Sequence, residues 1–365
     1  MTDYRVIFAE FVSGDIWGEL PISDLSFSME INAPGSASLK VPLWAFDWQA
    51  LQPWRVLVYI QRGQQILWGG PLLAFAVDLE TEDATLSATG LWGYYRRRLI
   101  SMSVSYAQLD QGAITRALVS SFGDGTGTGY LPGPKALTWD GSAVTGVIRD
   151  RTYARYEYKN LGQAVEDLAG VRDGFDFGIY YGWSGSRILN SFRFSPQGGI
   201  PTDVVLEHGA NCDIPSFTVD GTARTTEATV TGGGEGDDQL AAVWVDLPAE
   251  TSPSRRVPRL SSVSSRQDVT STDTLTGYAQ QAVSEGSTPV ILPAVRLYPD
   301  AYPGPGDLQP GHLVRVRARA GGRLVLDGAY KVTAVSVKVT DGGEECTVTL
   351  VPEGVFANVG SASTP

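Results

Sequence analysis

Chemistry in this chain has to come from very few of the usual residues. Its only histidines are His208 and His312. His208 stands in LEHGAN, outside any HExxH spacing. The two cysteines, Cys212 and Cys346, lie far apart, so no zinc ligand set can be assembled from neighbours. They read as buried free thiols, with a pairing between them left open. No serine lies in GxSxG, so a Ser-His-Asp nucleophile has no elbow to sit on. Asp176-Phe177-Gly178 spells DFG, but neither an HRD loop nor a VAIK-type lysine accompanies it, and it reads as the start of a strand. GDGTGTG (123–129) imitates a phosphate loop without the closing G-K-[ST], and it follows a helical pattern rather than a strand. GGGEGDDQ, from Gly232, is acidic enough for calcium but lacks the D-x-[DN]-x-[DN]-G order, and reads as a hairpin tip. A hydrolase would need paired carboxylates in a cleft, which spacing along this chain does not specify. The residues point to no catalysis, no cofactor and no metal.

Two basic clusters remain. Arg96, Arg97 and Arg98 lie in YYRRRL, and Arg315, Arg317 and Arg319 alternate along HLVRVRAR. The chain as a whole is acidic, with 28 basic and 40 acidic residues and a net charge of −12. Binding along a nucleic acid needs a basic field, so neither cluster reads as a DNA site. Arg96–Arg98 end one β region and lead into the next, where interdomain ion pairs are expected. The alternating row needs the strand pattern around it to be understood.

With 42 glycines, 21 prolines and many Val, Thr, Tyr and Trp residues, the composition predicts a mainly β chain. Residues 1–98 read as a first β domain, with LKVPL, RVLVYI and ILWGGPLLAFAVDLE as strands. Residues 99–205 read as an α+β accessory domain. Leu109, Ala113, Ile114, Ala117, Leu118 and Phe122 fall at helical spacing, and Asn160 is placed to cap a second helix. FDFGIYYGW and RILNSFRFS follow as a strand pair. Residues 206–250 and 288–354 read as a second β domain. It is interrupted over 251–287 by an extended arm, SPSRRVPRLSSVSSR, and a helix whose buried face is Leu275, Tyr278, Ala279, Ala282 and Val283. Residues 355–365 read as a flexible tail. The start, MTDYRVIFAEF, has no signal-peptide pattern, and the longest apolar run, ILWGGPLLAFAV, is too short to span a bilayer.

An internal repeat places the arginine row. WRVLVYIQRGQQILWGGPLLAFAVDLETED (54–83) aligns without a gap on HLVRVRARAGGRLVLDGAYKVTAVSVKVTD (312–341). Val56/Val314, Val58/Val316, Gly63/Gly321, Gly70/Gly328, Ala76/Ala334, Val77/Val335 and Asp83/Asp341 are identical, and the apolar alternation stays in phase. The valines mark a shared core face. The opposite face carries Leu57, Tyr59 and Gln61 in the first copy and Arg315, Arg317 and Arg319 in the second. These six residues are the candidate contacts between domains or between chains; for the arginines, a solvated strand face is the alternative reading.

Two β units flanking an inserted α+β part resemble the baseplate hub, or tail-tip, proteins of tailed phages, with the minor tail proteins of actinobacterial siphophages nearest. The resemblance rests on DLETEDATLSATGLWGYYRRRLI, NLGQAVEDLAGVRDGFDFGI, ARTTEATVTGGGEG, TGYAQQAVSEG and the closing PGPGDLQPGHLVRVRA…LDGAYKVTAVSVKV…CTVTLVPEG, and it covers most of the chain. His312 stands where that ending usually has Asp. The resemblance implies tail-tube-like β-barrel or sandwich domains in a homotrimeric structural protein of the virion, assembled in the host cytoplasm. Three chains with two β domains each would form a ring of six, adapting a sixfold tail tube to a threefold tip. Implied partners are the distal tail protein ring, other tail-tip or fibre proteins and the tape measure protein, with DNA passing through without specific binding. A second reading is a carbohydrate-binding adhesin. It rests on Trp17, Trp44, Trp48, Trp54, Trp68 and Trp92, which crowd the first domain.

Overall fold

SASLKVP shows why this chain forms strands: Ala37, Leu39 and Val41 face the core while Ser36, Ser38 and Lys40 do not. The computed structural model describes residues 4–45, 47, 51–123, 137–139, 144–171, 173–234, 236–247, 251, 257–266, 269, 271–287, 290–340 and 343–353. The first β region comprises β1 (Tyr4–Glu10), β2 (Ile16–Leu20), β3 (Asp24–Glu30), β4 (Ser36–Pro42), β5 (Val56–Arg62), β6 (Gln65–Asp78) and β7 (Asp83–Thr89). Then come α1 (Trp92–Tyr95), β8 (Val104–Asp110), α2 (Gln111–Leu118), β9 (Thr138–Trp139), β10 (Ile148–Tyr153), α3 (Leu161–Ala169), β11 (Phe175–Ser184) and β12 (Arg187–Pro196). The remainder holds β13 (Ile200–Glu207), β14 (Cys212–Asp220), β15 (Glu227–Thr231), β16 (Ala241–Val245), β17 (Ser261–Ser265), α4 (Thr272–Gly286), β18 (Val290–Leu297), β19 (His312–Ala320), β20 (Arg323–Thr340) and β21 (Gly343–Pro352). The protein is mainly β, as its composition predicts.

The repeat is reproduced in the strand ladder, residue for residue. In the first copy Leu57 pairs with Pro71, Val58 with Gly70, Tyr59 with Gly69 and Ile60 with Trp68. In the second, Arg315 pairs with Ala329, Val316 with Gly328, Arg317 with Asp327 and Ala318 with Leu326. Every partner lies 258 residues on (57 to 315, 71 to 329). The ladder slips at the same place in both, between Ile60 and Gln61 and between Ala318 and Arg319. The turns match too: Gly63 and Gly321 hold φ of 56° and 57°, a left-handed conformation that favours glycine. The copies differ in their outer neighbour. β1 pairs antiparallel with β5, whereas β13 pairs parallel with β19.

The copies share one sheet, in the order β14-β18-β21-β20-β3-β4-β7-β6-β5-β1-β2, with β19 on β20 and β13 on β19. Their junction is the antiparallel pair β20–β3, from Ala334 opposite Glu30 to Val339 opposite Leu25. A second tie is ionic. Arg62, at the end of β5, meets the buried Glu344 carboxylate through Nε–Oε2 at 3.0 Å and Nη2–Oε1 at 3.2 Å.

Residues 99–205 share a core with the first copy, contrary to the expected separate accessory domain. Ile7, Leu57, Tyr59, Trp92 and Tyr95 belong to one apolar cluster with Ile114, Leu118, Leu161, Leu168, Phe175 and Phe192. The reason is visible on β5, which is apolar on both faces and needs cover on each. Asn160 caps α3 as its spacing predicts, accepting from Gln163 N–H at 3.0 Å. The preceding helix starts later than its apolar spacing suggests. Leu109 lies on β8, because Asp110 caps α2 at Gly112 and Ala113.

Asp110 also accepts from the backbone of Thr145 and Gly146. Burial acts to raise its carboxyl, but backbone hydrogen bonds from Thr145, Gly112 and Gly146 outweigh it and hold the group below its ordinary value. Asp110→Ala is expected to cost about 1 kcal/mol of stability at neutral pH, the usual weight of a helix cap. A depressed carboxyl stabilises above its unfolded pKa of about 3.9 and loses that effect as the pH falls through its folded value. Denaturant melts of both proteins should therefore converge below about pH 4.

Contacts divide the chain into two units, one of residues up to Pro215 with Ala294–Leu350, the other Ser216–Pro293 with Val351–Phe356. This grouping moves β15 and β16 away from the second β domain expected for 206–250. In the smaller unit β15 lies between β16 and β17, and Ala228, Val230 and Ala242 pack on Leu275, Ala279 and Val283 of α4. The helix needs an apolar partner, and this sheet supplies it. Ser261–Ser265, expected as part of an extended arm, is β17, parallel to β15. The Gly232 stretch links the antiparallel strands β15 and β16 as a hairpin connection. Residues 355–365, expected to be a flexible tail, lie outside the described residues.

Candidate functional site

The arginine row lies on β19 and is partly neutralised by its own hairpin. Asp327, opposite Arg317, takes Arg315 through Nε at 2.6 Å and Nη2 at 2.9 Å, and lies 3.5 Å from Arg317 Nε. Hydrogen bonding from Arg315 holds the Asp327 carboxyl below the usual range. Arg319 makes no ion pair with a described residue. It stands opposite Leu324 at a hairpin tip where Leu324 and Val325 are 49% and 44% exposed.

The first-copy face is not open to another chain. Leu57, Tyr59 and Gln61 are all buried, and residues of the β11–β12 hairpin contact Tyr59 and Gln61. Tyr59 donates to Asn190 Oδ1 at 3.1 Å and meets Tyr181 edge-on, and Trp183 Nε1 donates to Gln61 Oε1 at 3.1 Å. The two faces of the repeat therefore have different fates, one sealed inside the chain and one at its surface.

Of the other cluster, one residue forms an ion pair with a described residue. Arg96 Nε donates to Glu166 Oε1 at 2.6 Å, an oxygen that also accepts from Trp92 Nε1 at 2.8 Å. Arg97 stacks over Trp54, and Arg98 donates to the Phe122 carbonyl while lying over Tyr94. Packing and carbonyl capping replace the ion pairs expected for Arg97 and Arg98.

A buried ion pair escaped sequence reasoning altogether. Lys331 Nζ lies 2.7 Å from Asp176 Oδ2, with both side chains 3% exposed. Lys331 also donates to the Gln197 carbonyl at 2.8 Å, and Asn32 donates to Asp176 Oδ1 at 2.9 Å. Burial pushes the Asp176 carboxyl up, against the pull of Lys331 and Asn32. Asp176 opens the DFG triplet, so those letters hold a structural ion pair at the start of β11. The available signal was weak: a lysine flanked by apolar residues on β20.

A cavity of about 320 Å³ opens beside this network. Leu91, Trp68, Trp92 and Phe177 form its apolar lining, with Gln64, Gln65, Gln309, Glu30 and Arg193 also at its wall. The tryptophans thus divide. Trp68 and Trp92 are buried, Trp17 and Trp44 are exposed, and Trp48 lies outside the described residues.

The histidines and cysteines are hydrogen-bonded or at least half-buried. His208 Nδ1 accepts from Ile214 N–H at 2.9 Å, and burial lowers the pKa of His312. Cys212 and Cys346 are buried and unpaired, their thiols pushed up to about 12 by burial. Among the described residues no group of His, Cys, Asp and Glu could hold a metal ion, and no helix is long and apolar enough to cross a membrane.

No protein-family model matches this chain. No curated protein matches it either. Solved structures do. The 43 kDa tail protein of prophage MuSo2 from Shewanella oneidensis is similar with a TM-score of 0.65 at 11% identity, over 97% of this chain and 100% of that one. A tail protein from Neisseria meningitidis MC58 is similar with a TM-score of 0.62 at 14% identity, over 97% and 98%. A prophage tail protein from Listeria monocytogenes EGD-e gives 0.56 at 13% identity, over 94% of both. The likeness runs the length of all three chains, and what it establishes is the fold: this protein has the architecture of a prophage tail protein.

Proposed function

We propose that this chain is a structural virion protein, the homotrimeric hub at the tail tip of a siphophage. The observation that carries the reading is the duplicated β unit, with identical register, bulge and turn in both copies. Three chains would present six related units, enough to continue a sixfold tube, while the differences between copies restore threefold symmetry. The distal tail ring would sit on one side and tip or fibre proteins on the other, with the tape measure protein as a further neighbour. A net charge of −12 suits a conduit that DNA crosses without binding.

The copies also suggest where chains meet. The first-copy tip buries Ile66 and Leu67. The loop at Gly306 covers it so closely that a Cβ there would strike Gln65 and Leu67. The matching second-copy tip exposes Leu324 and Val325. In a ring, a neighbouring chain would provide the missing cover, with Arg315, Arg317 and Arg319 alongside. Light scattering of the purified chain should give about three times 39.1 kDa. Leu324→Glu should shift that mass to a single chain without lowering the melting temperature of the monomer. A monomer at every concentration, alone and with its tail neighbours, would count against the trimer.

A further inference from the structure

β11 is the end strand of its sheet, in the order β11-β12-β9. Its outer edge runs along the cavity: six consecutive residues, Phe177 to Gly182, line it. Side chains alternate along a strand, so an unbroken run means that the backbone itself is a wall. Which backbone groups point there follows from the ladder. Phe177 N–H donates to Asn32 Oδ1 at 2.7 Å, and its carbonyl accepts from Asn32 N–H at 3.0 Å. Odd-numbered residues therefore turn their main-chain groups away from β12. The two-residue turn after Ser184 agrees, since Ser184 and Arg187 face each other as its closing pair. Past Asn32, the outward N–H and C=O groups of Ile179 and Tyr181 have no hydrogen-bond partner among the described residues. A further unmet group is the Trp68 indole. It lines the cavity, is only 2% exposed, and its Nε1 has no partner. A buried donor left without a partner is costly, because it has lost its hydrogen bonds to water and gained none in return.

We propose that this slot receives a single extended peptide arm from another tail protein, added as a strand beside β11. The partner class rests on the tail-protein reading; the slot does not. Two residues of strand advance about 6.6 Å, so Ile179 and Tyr181 offer donor and acceptor pairs at the repeat of an extended backbone. A sugar would stack on the aromatic lining but has no ladder to match that repeat. The arm must be a lone strand. The slot is walled by β11 and by residues within Gln64–Trp68, Met29–Pro34 and Gly306–Pro310, an enclosure that suits a lone strand better than the edge of a folded sheet. An apolar side chain of the arm would lie over Trp92 and Leu91, and an acceptor would meet Trp68 Nε1.

The test is hydrogen exchange on the full chain, with ten-residue peptides tiled across the neighbouring tail proteins. Expected is at least tenfold slower exchange of the Ile179 and Tyr181 amides with one peptide. Ile179→Pro should abolish that binding with little change in melting temperature, because its N–H does not bond β12. Trp68→Phe, which removes the indole donor and keeps an aromatic ring, should weaken the binding. Three results would overturn the proposal: no peptide slowing these amides, only peptides of this chain's own sequence doing so, or an oligosaccharide quenching Trp68 where peptides do not. Mass spectrometry of purified particles reads the tail assignment separately. If the chain is present there while Ile179 and Tyr181 exchange as fast as in the free chain, the slot is wrong and the tail reading stands.

Discussion

Lys331→Met is expected to lower the unfolding free energy by about 3–5 kcal/mol, because it leaves the Asp176 carboxylate buried without its counter-charge. Asp176 keeps Asn32 as a donor, but a neutral amide offsets only part of the cost of taking a carboxylate out of water. Asp176→Leu alone should cost a similar amount, since it strands the ammonium of Lys331 with one carbonyl partner, Gln197. Combining the two should recover most of the loss, as it does when a whole buried pair is exchanged for apolar side chains. Urea melts of the four proteins make a double-mutant cycle. A strictly additive double variant would mean that the two charges do not stabilise each other. The pair joins β11 to β20, residues 155 apart in sequence, so its loss should also loosen the attachment of the β11–β12 hairpin to the second copy.

Trp92→Ala is the second large effect, with an expected loss of about 3–5 kcal/mol for deleting a buried indole. Trp92 stacks on Tyr95 with ring centres 5.2 Å apart and meets Phe177 and Phe192 edge-on at 4.8 and 5.7 Å. Its Nε1 holds Glu166, so the variant also leaves Arg96 as the carboxylate's remaining side-chain partner. The damage should not stay in the first copy. Limited proteolysis should cut within 99–205 sooner than in wild type, because the inserted helices share this core. Unchanged cleavage there would argue that the insertion folds by itself.

The sequence was most informative where local rules act alone. Alternating valines, the paired glycines at 63 and 321 and the cap at Asn160 all depend on a few neighbouring residues. These were enough to recover the duplication and the predominance of strands. What sequence could not supply was the choice of partner. Leu57 and Tyr59 look like an open face because β strands commonly have one, yet both faces of β5 are covered. Lys331 reads as one charge among valines; its counterpart in the first copy, by the 258-residue spacing, is Leu73, which is exposed. Only the fold brings Asp176 to it. The cavity was beyond reach for the same reason, since its wall is drawn from six separated stretches of chain.

The shared sheet has a mechanical consequence. Six residue pairs join β20 to β3, and the Arg62–Glu344 contact spans the same two copies, so within one chain the copies are fixed as a rigid couple. A ring of three such chains would alternate between stiff seams, each stitched by a continuous hydrogen-bonded ladder, and compliant seams held only by surface contacts. Under outward pressure it would part at every second seam, opening as three petals of two units each rather than as six.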